Sequence, residues 1–247
     1  MNLEYSELNV QAFFRLYAQL SSAKFIDLPQ YKAIISKVGT WPNSVFSFNV
    51  SENTASSEIE KLIAKMKLGE LPTQLRTPPT TALATVELLR NKSVRHVTWA
   101  AMGMEMSNLV IKNTVEDIRR VEDAETLESW IKIVEVELMK GGKIDRQAFV
   151  NLLEHASCQF YLAYVDGVPA STSLTFINQN TVGVYLVATA AKFQRRGLGT
   201  AVTAHSLNVI QDKNITHAYL QATDIGKSVY ASIGFEDLGK IGGFAML

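Results

Sequence analysis

The feature that most constrains the fold is a glycine-containing turn between an apolar strand and an apolar helix. Residues 192–201 read KFQRRGLGTA and follow the apolar segment TVGVYLVAT. Gly197 and Gly199 lack a Cβ, so another group can approach the backbone closely. The first N–H groups of a helix lack partners within the helix and carry the positive end of its dipole. The turn is therefore a candidate anion site to which Arg195 and Arg196 add charge, although a tight turn with two solvated arginines explains the same letters.

Two other nucleotide-binding motifs do not fit the sequence. A P-loop requires GxxxxGK[ST], a string that does not occur here. The dinucleotide fingerprint requires GxGxxG, but Val202 stands where its third glycine would be.

The composition is that of a globular protein without a net charge. The chain has 247 residues, 47% of them hydrophobic, and 24 Lys and Arg balance 24 Asp and Glu. This balance argues against nucleic acid and anionic membranes as partners. Cys158 is the only cysteine, so no intrachain disulfide is possible. No signal peptide and no apolar stretch of about 20 residues is visible, which predicts a cytoplasmic protein.

The second half predicts a regular succession of strands and helices. Asp145 is a predicted N-cap, and Asp166-Gly167 predicts the turn of a hairpin over residues 158–177. The other predicted elements are strands at 116–121, 181–189 and 217–223, helices at 127–138, 198–211 and 224–234, and strands in the tail.

The first half predicts a separate mixed α/β region. Phe46, Phe48 and Val50 alternate, which predicts a strand over residues 44–50 with one apolar face. Ser57 and Glu60 fit a capping box for a helix that ends at Gly69. The other expectations are helices at 10–20 and 82–90, a strand at 95–102, and irregular structure at 71–81, where three prolines occur.

Two motifs in the second half resemble the GNAT superfamily of N-acetyltransferases. The segment VYLVATAAKFQRRGLGTA resembles the acetyl-coenzyme A signature of that family, Q/R-x-x-G-x-G/A after a strand and a short linker. Its positions here are Gln194, Gly197 and Gly199. The segment LQATDIGKSVYASIGF resembles the family's next segment and matches it at Thr223, Gly226, Tyr230, Gly234 and Phe235.

The resemblance implies a mixed-sheet α/β fold with a GNAT domain over residues 115–247. The region 1–110 would be a smaller α/β domain, by analogy with two-domain members a degenerate second copy, with the boundary near residues 107–115. Two central strands of the family splay apart and admit acetyl-CoA, whose arm pairs with the fourth strand like an added strand. The residues that the resemblance implies in cofactor binding are Leu186, Val187, Ala188, Thr189, Gln194, Arg195, Arg196, Gly197, Leu198, Gly199, Thr200, Thr223 and Gly226.

The resemblance also implies direct acetyl transfer from the thioester to an amine. Tyr230 would be the general acid for the departing thiolate, and the N–H of Val187 is a candidate donor to the oxyanion. Tyr230 as a packing residue is the plainer alternative. Four residues are candidate bases, and no spacing selects among them: Glu135, Glu154, Tyr185 and Asp224.

The acceptor is not legible and would be either a small-molecule amine or an amine of a protein or peptide. No metal site is predicted, because the four histidines lack ligand spacing. Two alternatives stay open. One is a regulatory module that binds coenzyme A without turnover, and the other is a transferase on the same fold that uses a longer acyl or an aminoacyl donor.

Overall fold

The computed structural model describes residues 3–111, 117–211 and 214–247, which form one mixed sheet flanked by helices. The helices are α1 (Leu3–Gln19), α2 (Glu52–Lys67), α3 (Leu83–Lys92), α4 (Ala124–Glu137), α5 (Arg146–Glu154), α6 (Leu198–Asn208) and α7 (Asp224–Ala231). The strands are β1 (Lys24–Asp27), β2 (Lys32–Ile35), β3 (Ser44–Phe46), β4 (Gln74–Thr77), β5 (Arg95–Glu105), β6 (Asp117–Arg120), β7 (Cys158–Val165), β8 (Val168–Asn178), β9 (Thr181–Thr189), β10 (His217–Ala222) and β11 (Glu236–Ala245).

The two halves of the chain share this sheet and exchange a strand within it. The strand order is β1-β2-β3-β4-β11-β5-β10-β9-β8-β7-β6. Strand β5 belongs to the first half of the sequence, yet it pairs with β10 on one side and β11 on the other. Strand β11 in turn pairs with β4. The mixed α/β prediction is confirmed, while the division at residues 107–115 stays a prediction and partly falls outside the described residues.

The order of elements in the first half recurs in the second. Helix α1 is followed by the antiparallel strands β1, β2 and β3, then by α2, β4, α3 and β5. Helix α5 is followed by the antiparallel strands β7, β8 and β9, then by α6, β10, α7 and β11. Strand β4 is parallel to β3, and β10 is parallel to β9.

The helices cover both faces of the sheet. Helices α1, α4 and α5 bury an aromatic core against β7, β8 and β9, in which Phe13, Trp130 and Phe149 are completely buried. Helices α6 and α7 lie on the opposite face, where Met102, Met104 and Met106 join the apolar core. Within the described ranges, no helix has the length and apolar character that crossing a bilayer requires.

Three expectations for the first half are wrong in detail. The predicted strand at 44–50 ends at Phe46, because Ser47 adopts a positive φ of 49°. As a result Phe46 packs with α1, whereas Phe48 and Val50 pack in a separate core with α2. The capping box is also wrong, since the N-cap of α2 is Ser51, six residues earlier, and Ser57 lies inside the helix, where it donates to Thr54 O.

The region 71–81 contains a strand where irregular structure is predicted. Its prolines lie outside β4, whose four residues pair with β11. Strands β1 and β2 are also absent from the sequence-based expectations, since each has only four residues. Short strands carry too little alternation to be recognised.

The expectations for the second half are confirmed, with one exception. Asp145 caps α5 by accepting from Ala148 N at 3.2 Å, and Asp166-Gly167 forms the turn between β7 and β8 with both φ values positive. Cys158 is buried at the start of its strand. The exception is the length of two helices, since α6 ends at Asn208 and α7 at Ala231, each three residues before its predicted end, and Val209 beyond α6 is 49% exposed.

Candidate active site

The candidate site lies where the parallel strands β9 and β10 separate. They pair from Thr181 with His217 to Val184 with Leu220, and no pairing joins them beyond that point in the described chain. On its other side this part of β9 stays paired with β8 through Tyr185, Ala188 and Thr189. One edge of β9 is therefore open along five residues, which is the splay that the resemblance implies.

A bulge at Leu186 marks the start of this open edge. Leu186 has a positive φ of 52°, and the register between β8 and β9 shifts at this place. Thr172 holds the distorted segment, since its hydroxyl donates to Leu186 O at 2.8 Å and accepts from Ala188 N at 3.1 Å. Ser171 also donates to Ala188 O at 2.9 Å. These side chains satisfy backbone groups that the bulge removes from the regular ladder.

The glycine turn lies at the far end of the open edge. Gly197 is the N-cap of α6 with φ 81°, and no side chain caps this helix. A Cβ on Gly199 would point between β9 and α7, 3.6 Å from Thr189 Oγ1 and 4.0 Å from Val229 Cγ1. The start of α6 therefore faces the splay with uncapped N–H groups, an arrangement suited to an anion. Leu198 is buried beneath it, and Thr200 is half-buried.

The three polar residues before the glycines are placed differently from one another. Gln194 Nε2 donates to Thr189 O at 3.0 Å and to Glu137 Oε2 at 3.3 Å, so this side chain holds the linker. Glu137 also accepts from Ala191 N at 2.8 Å. Arg195 and Arg196 are exposed, and neither forms an ion pair with any residue in the described ranges.

Helix α7 borders the splay opposite β9. Thr223 caps it by accepting from Gly226 N at 3.2 Å. Tyr230 lies two turns further along, where its ring packs edge-on against Phe235 with centroids 6.1 Å apart. Burial raises the pKa of Tyr230 to about 12, so its phenol keeps its proton at neutral pH.

A cavity of about 460 Å³ lies at the splay, and residues of α1 on one face of the sheet and of α7 on the other contribute to its wall. Leu186, Val187, Thr223, Gly226 and Tyr230 line it, all of them residues that the sequence indicates. Ala188 instead faces the aromatic core, and the hydroxyl of Thr189 is bonded to that of Ser171. Beyond the splay the cavity continues under α1, with a wall that includes Asn9, Arg76 and Trp99.

Tyr185 alone among the four candidate bases lines the cavity. Its hydroxyl donates to Asn9 Oδ1 at 2.8 Å, and its ring stacks on Phe13 with centroids 4.4 Å apart. Gly183 leaves room for this pair, because a Cβ there would lie 2.1 Å from Asn9 Oδ1. Burial raises the pKa of Tyr185 strongly, so it is a poor base at neutral pH.

The three carboxylates proposed as bases do not line the cavity. Glu135 is buried and accepts from Ile144 N at 2.9 Å and from Arg146 Nη1 at 3.0 Å. Burial opposes its ionisation, but these partners and the Lys143 charge outweigh burial and hold the pKa of Glu135 below its ordinary value. Glu154 and Asp224 are exposed. Among the described residues, no group of three His, Cys, Asp or Glu side chains is placed to hold a metal ion.

Asn9, Arg76, Trp99 and Glu137 are absent from the sequence-based predictions. They carry no motif, and three of them come from the half of the chain that matches no family signature. Only the shared sheet brings Arg76 and Trp99 beside the splay, through the pairing of β4 and β5 with β11.

Comparisons with known proteins agree with this geometry. Residues 128–245 match the family model of the acetyltransferase (GNAT) domain. A GCN5-related N-acetyltransferase from Kribbella flavida has a similar structure, with a TM-score of 0.73 and 16% identity over 96% of this chain and 93% of that one. So does a functionally unknown conserved protein from Staphylococcus epidermidis, with a TM-score of 0.66 and 15% identity over 92% and 95% of the two chains. No curated protein matches the sequence significantly.

At these identities the structural neighbours show the fold of nearly the whole chain, and the family model adds the kind of domain. Residues 128–245 form a GNAT acetyltransferase domain, which identifies the protein as an acyltransferase.

Proposed function

We propose that the protein transfers the acetyl group of acetyl-CoA directly to an amine. The observation that carries this proposal is the cavity at the splay, lined by Leu186 and Val187 of the open edge of β9 and by the half-buried Tyr230. The uncapped start of α6 lies beside the same open edge, outside the cavity wall. A thioester held on β9 would be reached from one face of the sheet by its cofactor arm and from the other by an amine.

The cofactor would bind as the family resemblance implies. Its pantetheine arm would pair with the edge of β9 from Leu186 to Thr189, since these residues lack a neighbour on that side. Its pyrophosphate would lie on the N–H groups at the start of α6, where Gly197 and Gly199 leave room. Arg195 and Arg196 are exposed and without ion-pair partners in the described ranges, so they are available to the phosphates.

The reaction needs no covalent enzyme intermediate. The amine nitrogen attacks the thioester carbonyl carbon, the C–S bond breaks, and the products are an amide and coenzyme A. The N–H of Val187, at the bulge, would donate to the oxyanion that forms on the carbonyl oxygen. Tyr230 would donate its proton to the departing sulfur, because its raised pKa keeps the phenol protonated throughout the neutral range.

The proton of the attacking amine requires a different route. No Asp, Glu or His is among the described residues that line the cavity, and Tyr185 holds its proton firmly. We infer that the amine loses its proton through water in the cavity to solvent. The best acceptor would then be an amine whose own pKa is not far above neutral, such as an α-amino group with a pKa of about 8, because more of it is uncharged and able to attack.

The first half of the chain would be a degenerate second copy of the GNAT fold. Support comes from the recurring order of elements and from the exchange of β5 and β11 between the halves. Between β3 and α2 the sequence SFNVSEN contains no glycine, so this copy lacks the phosphate-binding turn. The first half of the chain would then contribute to acceptor binding, and each chain would have one acetyl-CoA site.

Acetyl-CoA binding to Gly199 variants tests the proposal. A Gly199→Val variant places two methyl groups between β9 and α7, where the cofactor arm would lie, and a Cβ alone has ordinary contact distances there. Titration calorimetry should show 1:1 binding to the wild type, weaker binding to Gly199→Ala, and a loss of about 10-fold or more for Gly199→Val. Asn208→Val, at an exposed position of the same helix, is the matched control and should bind normally.

The outcomes separate the competing functions. Binding with release of free thiol in the presence of amines supports the transferase. Binding without turnover on any amine would favour a regulatory module that holds coenzyme A. Equal affinity of the wild type and Gly199→Val, with unchanged thermal stability, would contradict the placement of the cofactor.

A further inference from the structure

Resting on the function proposed above, we propose that the acceptor is a small amine that also carries a carboxylate, and that Arg76 binds this carboxylate. The class includes amino acids and their close relatives. It differs from polycationic acceptors, which need acidic groups around them.

The charge of the cavity is the first argument. Arg76 is the only one of the described cavity-lining residues that bears a formal charge. Burial lowers the pKa of its guanidinium, yet an arginine side chain stays charged at neutral pH. Arg76 is half-buried, and removing a cation from water is costly unless an anion meets it. A diamine or polyamine would add further positive charge to a cavity wall that contains no carboxylate among its described residues.

The absence of a protein partner is the second argument. Within the described part of the chain, Arg76 forms no ion pair and no hydrogen bond with a carboxylate. Glu7 is the acidic group that influences it, and both residues border a smaller neighbouring cavity, but the Glu7 carboxylate accepts from Ser47 and forms no ion pair with Arg76 in the described ranges. The five N–H groups of a guanidinium suit a carboxylate, which can take two of them at once.

The guanidinium of Arg76 is also held in place. It lies over the indole of Trp99, 5.2 Å from the ring centroid. Gly243 pairs with Arg76 across β4 and β11, and a Cβ on Gly243 would lie 2.1 Å from Trp99 Cζ3. Only glycine at this position lets the indole extend across β11 towards Arg76. The stacked pair is thus built by three strands from both halves of the chain.

The position of Arg76 relative to the splay is the third argument. Arg76 and Tyr185 are close enough to interact electrostatically, and both line the same cavity. Tyr185 directly precedes the bulge at Leu186, where the thioester carbonyl would be placed. The cavity of about 460 Å³ must hold the end of the cofactor arm as well, so the acceptor is small. Its carboxylate would lie on Arg76 while its amine reaches towards β9.

Matched pairs of acceptors provide the test. The probes are α-, β- and γ-amino acids and dipeptides, each compared with the amine that lacks its carboxylate, such as phenylalanine with phenethylamine. Thiol release from acetyl-CoA gives kcat/KM. We expect carboxylated members to be preferred by about 10- to 100-fold, and Arg76→Gln to remove the preference by raising KM. Arg76→Lys should keep part of the preference, since lysine retains the positive charge but lacks the paired N–H groups that bind both carboxylate oxygens.

Two controls distinguish carboxylate binding from a structural role. Arg95→Gln changes an exposed arginine of β5 and should alter nothing. Glu7→Gln leaves the cation of Arg76 in place and should keep or strengthen the preference. If Arg76 serves only to balance Glu7, both Arg76→Gln and Glu7→Gln should lower the thermal stability and leave the preference unchanged, which would overturn the proposal.

Binding measurements separate this inference from the proposed function. Thermal shift with the same probes, in the presence of coenzyme A, detects acceptor binding without turnover. If acetyl-CoA binds and no carboxylated probe binds or reacts better than its partner, the inference is wrong and the acetyltransferase proposal stands. If carboxylated probes stabilise the wild type but not Arg76→Gln, while acetyl-CoA fails to bind, the anion site stands and the proposed function fails.

Discussion

Two half-buried tyrosines line the same cavity, and their surroundings suit them to different tasks. Tyr185 is tied to Asn9 by a hydrogen bond and stacked on Phe13, so its hydroxyl is fixed in a structural contact. Tyr230 packs against Phe235 on the side of α7, and burial alone raises its pKa. A thiolate forming beside Tyr230 would be destabilised by the same low polarity, which keeps proton donation from phenol to sulfur feasible.

The pH dependence of turnover should follow from the raised pKa of Tyr230 and from the pKa of the acceptor amine. Because the pKa of Tyr230 is raised to about 12, its phenol stays protonated up to about pH 11, and kcat should show no decline at any pH below that value. The rate should instead rise with pH as the acceptor amine loses its proton. Tyr230→Phe should lower kcat by about 100-fold with little change in acetyl-CoA affinity. Rates between pH 6 and 10.5, with calorimetry of the variant, measure both effects, and unchanged turnover of the variant at every pH would exclude the acid role.

Functional residues that belong to a sequence motif can be predicted from the sequence, whereas residues outside any motif cannot. Gly197, Gly199 and Tyr230 are found from the sequence because fixed spacings surround them. Arg76 carries no such signal, since its importance comes from the absence of a partner in a cavity. An absence of that kind exists only after three strands have paired. The proposed acceptor site therefore cannot be predicted from the sequence, whereas the proposed cofactor site can.

Helix α4 shows how a conspicuous carboxylate can belong to an element rather than to a reaction. Glu135 joins α4 to the start of α5 by accepting from Ile144 N and pairing with Arg146 and Lys143. Arg146 is shared with the more exposed Glu128. The buried carboxylate satisfies the backbone at the entry to α5, whose Phe149 is part of the aromatic core.

Substitution of Glu135 should therefore affect stability and leave catalysis intact. Glu135→Gln should lower the free energy of unfolding by about 1 to 3 kcal/mol, because Arg146 loses a buried charged partner. The pKa of Glu135 is lowered in the folded state, so its contribution is present above about pH 4.3 and is lost as the pH falls through the lowered value. Urea unfolding at pH 7 and at pH 3 measures this difference, which should shrink at the lower pH.

Glu128→Gln is the matched control for this prediction. It changes the exposed partner of the same arginine and should cost less than about 0.5 kcal/mol. A Glu135→Gln enzyme with wild-type stability and a much lower kcat would instead point to a role in proton transfer.

Elements with strong local signals are predictable, and those defined by pairing are not. The hairpin turn at Asp166-Gly167 and the cap at Asp145 depend on local geometry, so sequence reasoning locates them. Strand β4 has four residues between prolines and exists because β11 pairs with it. Strand β3 ends where Ser47 adopts a positive φ, and a serine in the sequence does not indicate such a conformation.

At the scale of the whole molecule, the exchange of strands makes the two halves depend on each other. Strand β5 pairs with β10 and β11 along most of their lengths, although it precedes residue 107 in the chain. Without it the sheet of the GNAT domain would expose two strand edges in its middle. A division of the chain at residues 107–115 would therefore separate β5 from β10 and β11, its neighbours in one continuous sheet.

Truncation tests this interdependence directly. A fragment of residues 115–247 lacks β5 and should be insoluble or unfolded, because β10 and β11 would have no neighbour between them. A fragment of residues 93–247 contains β5 and should recover part of the structure, with β11 still missing its partner β4. Near-ultraviolet circular dichroism and acetyl-CoA binding measure recovery, and the full chain should unfold in one cooperative transition. Independent folding and cofactor binding by residues 115–247 would show that the GNAT domain is autonomous and that β5 is an accessory to it.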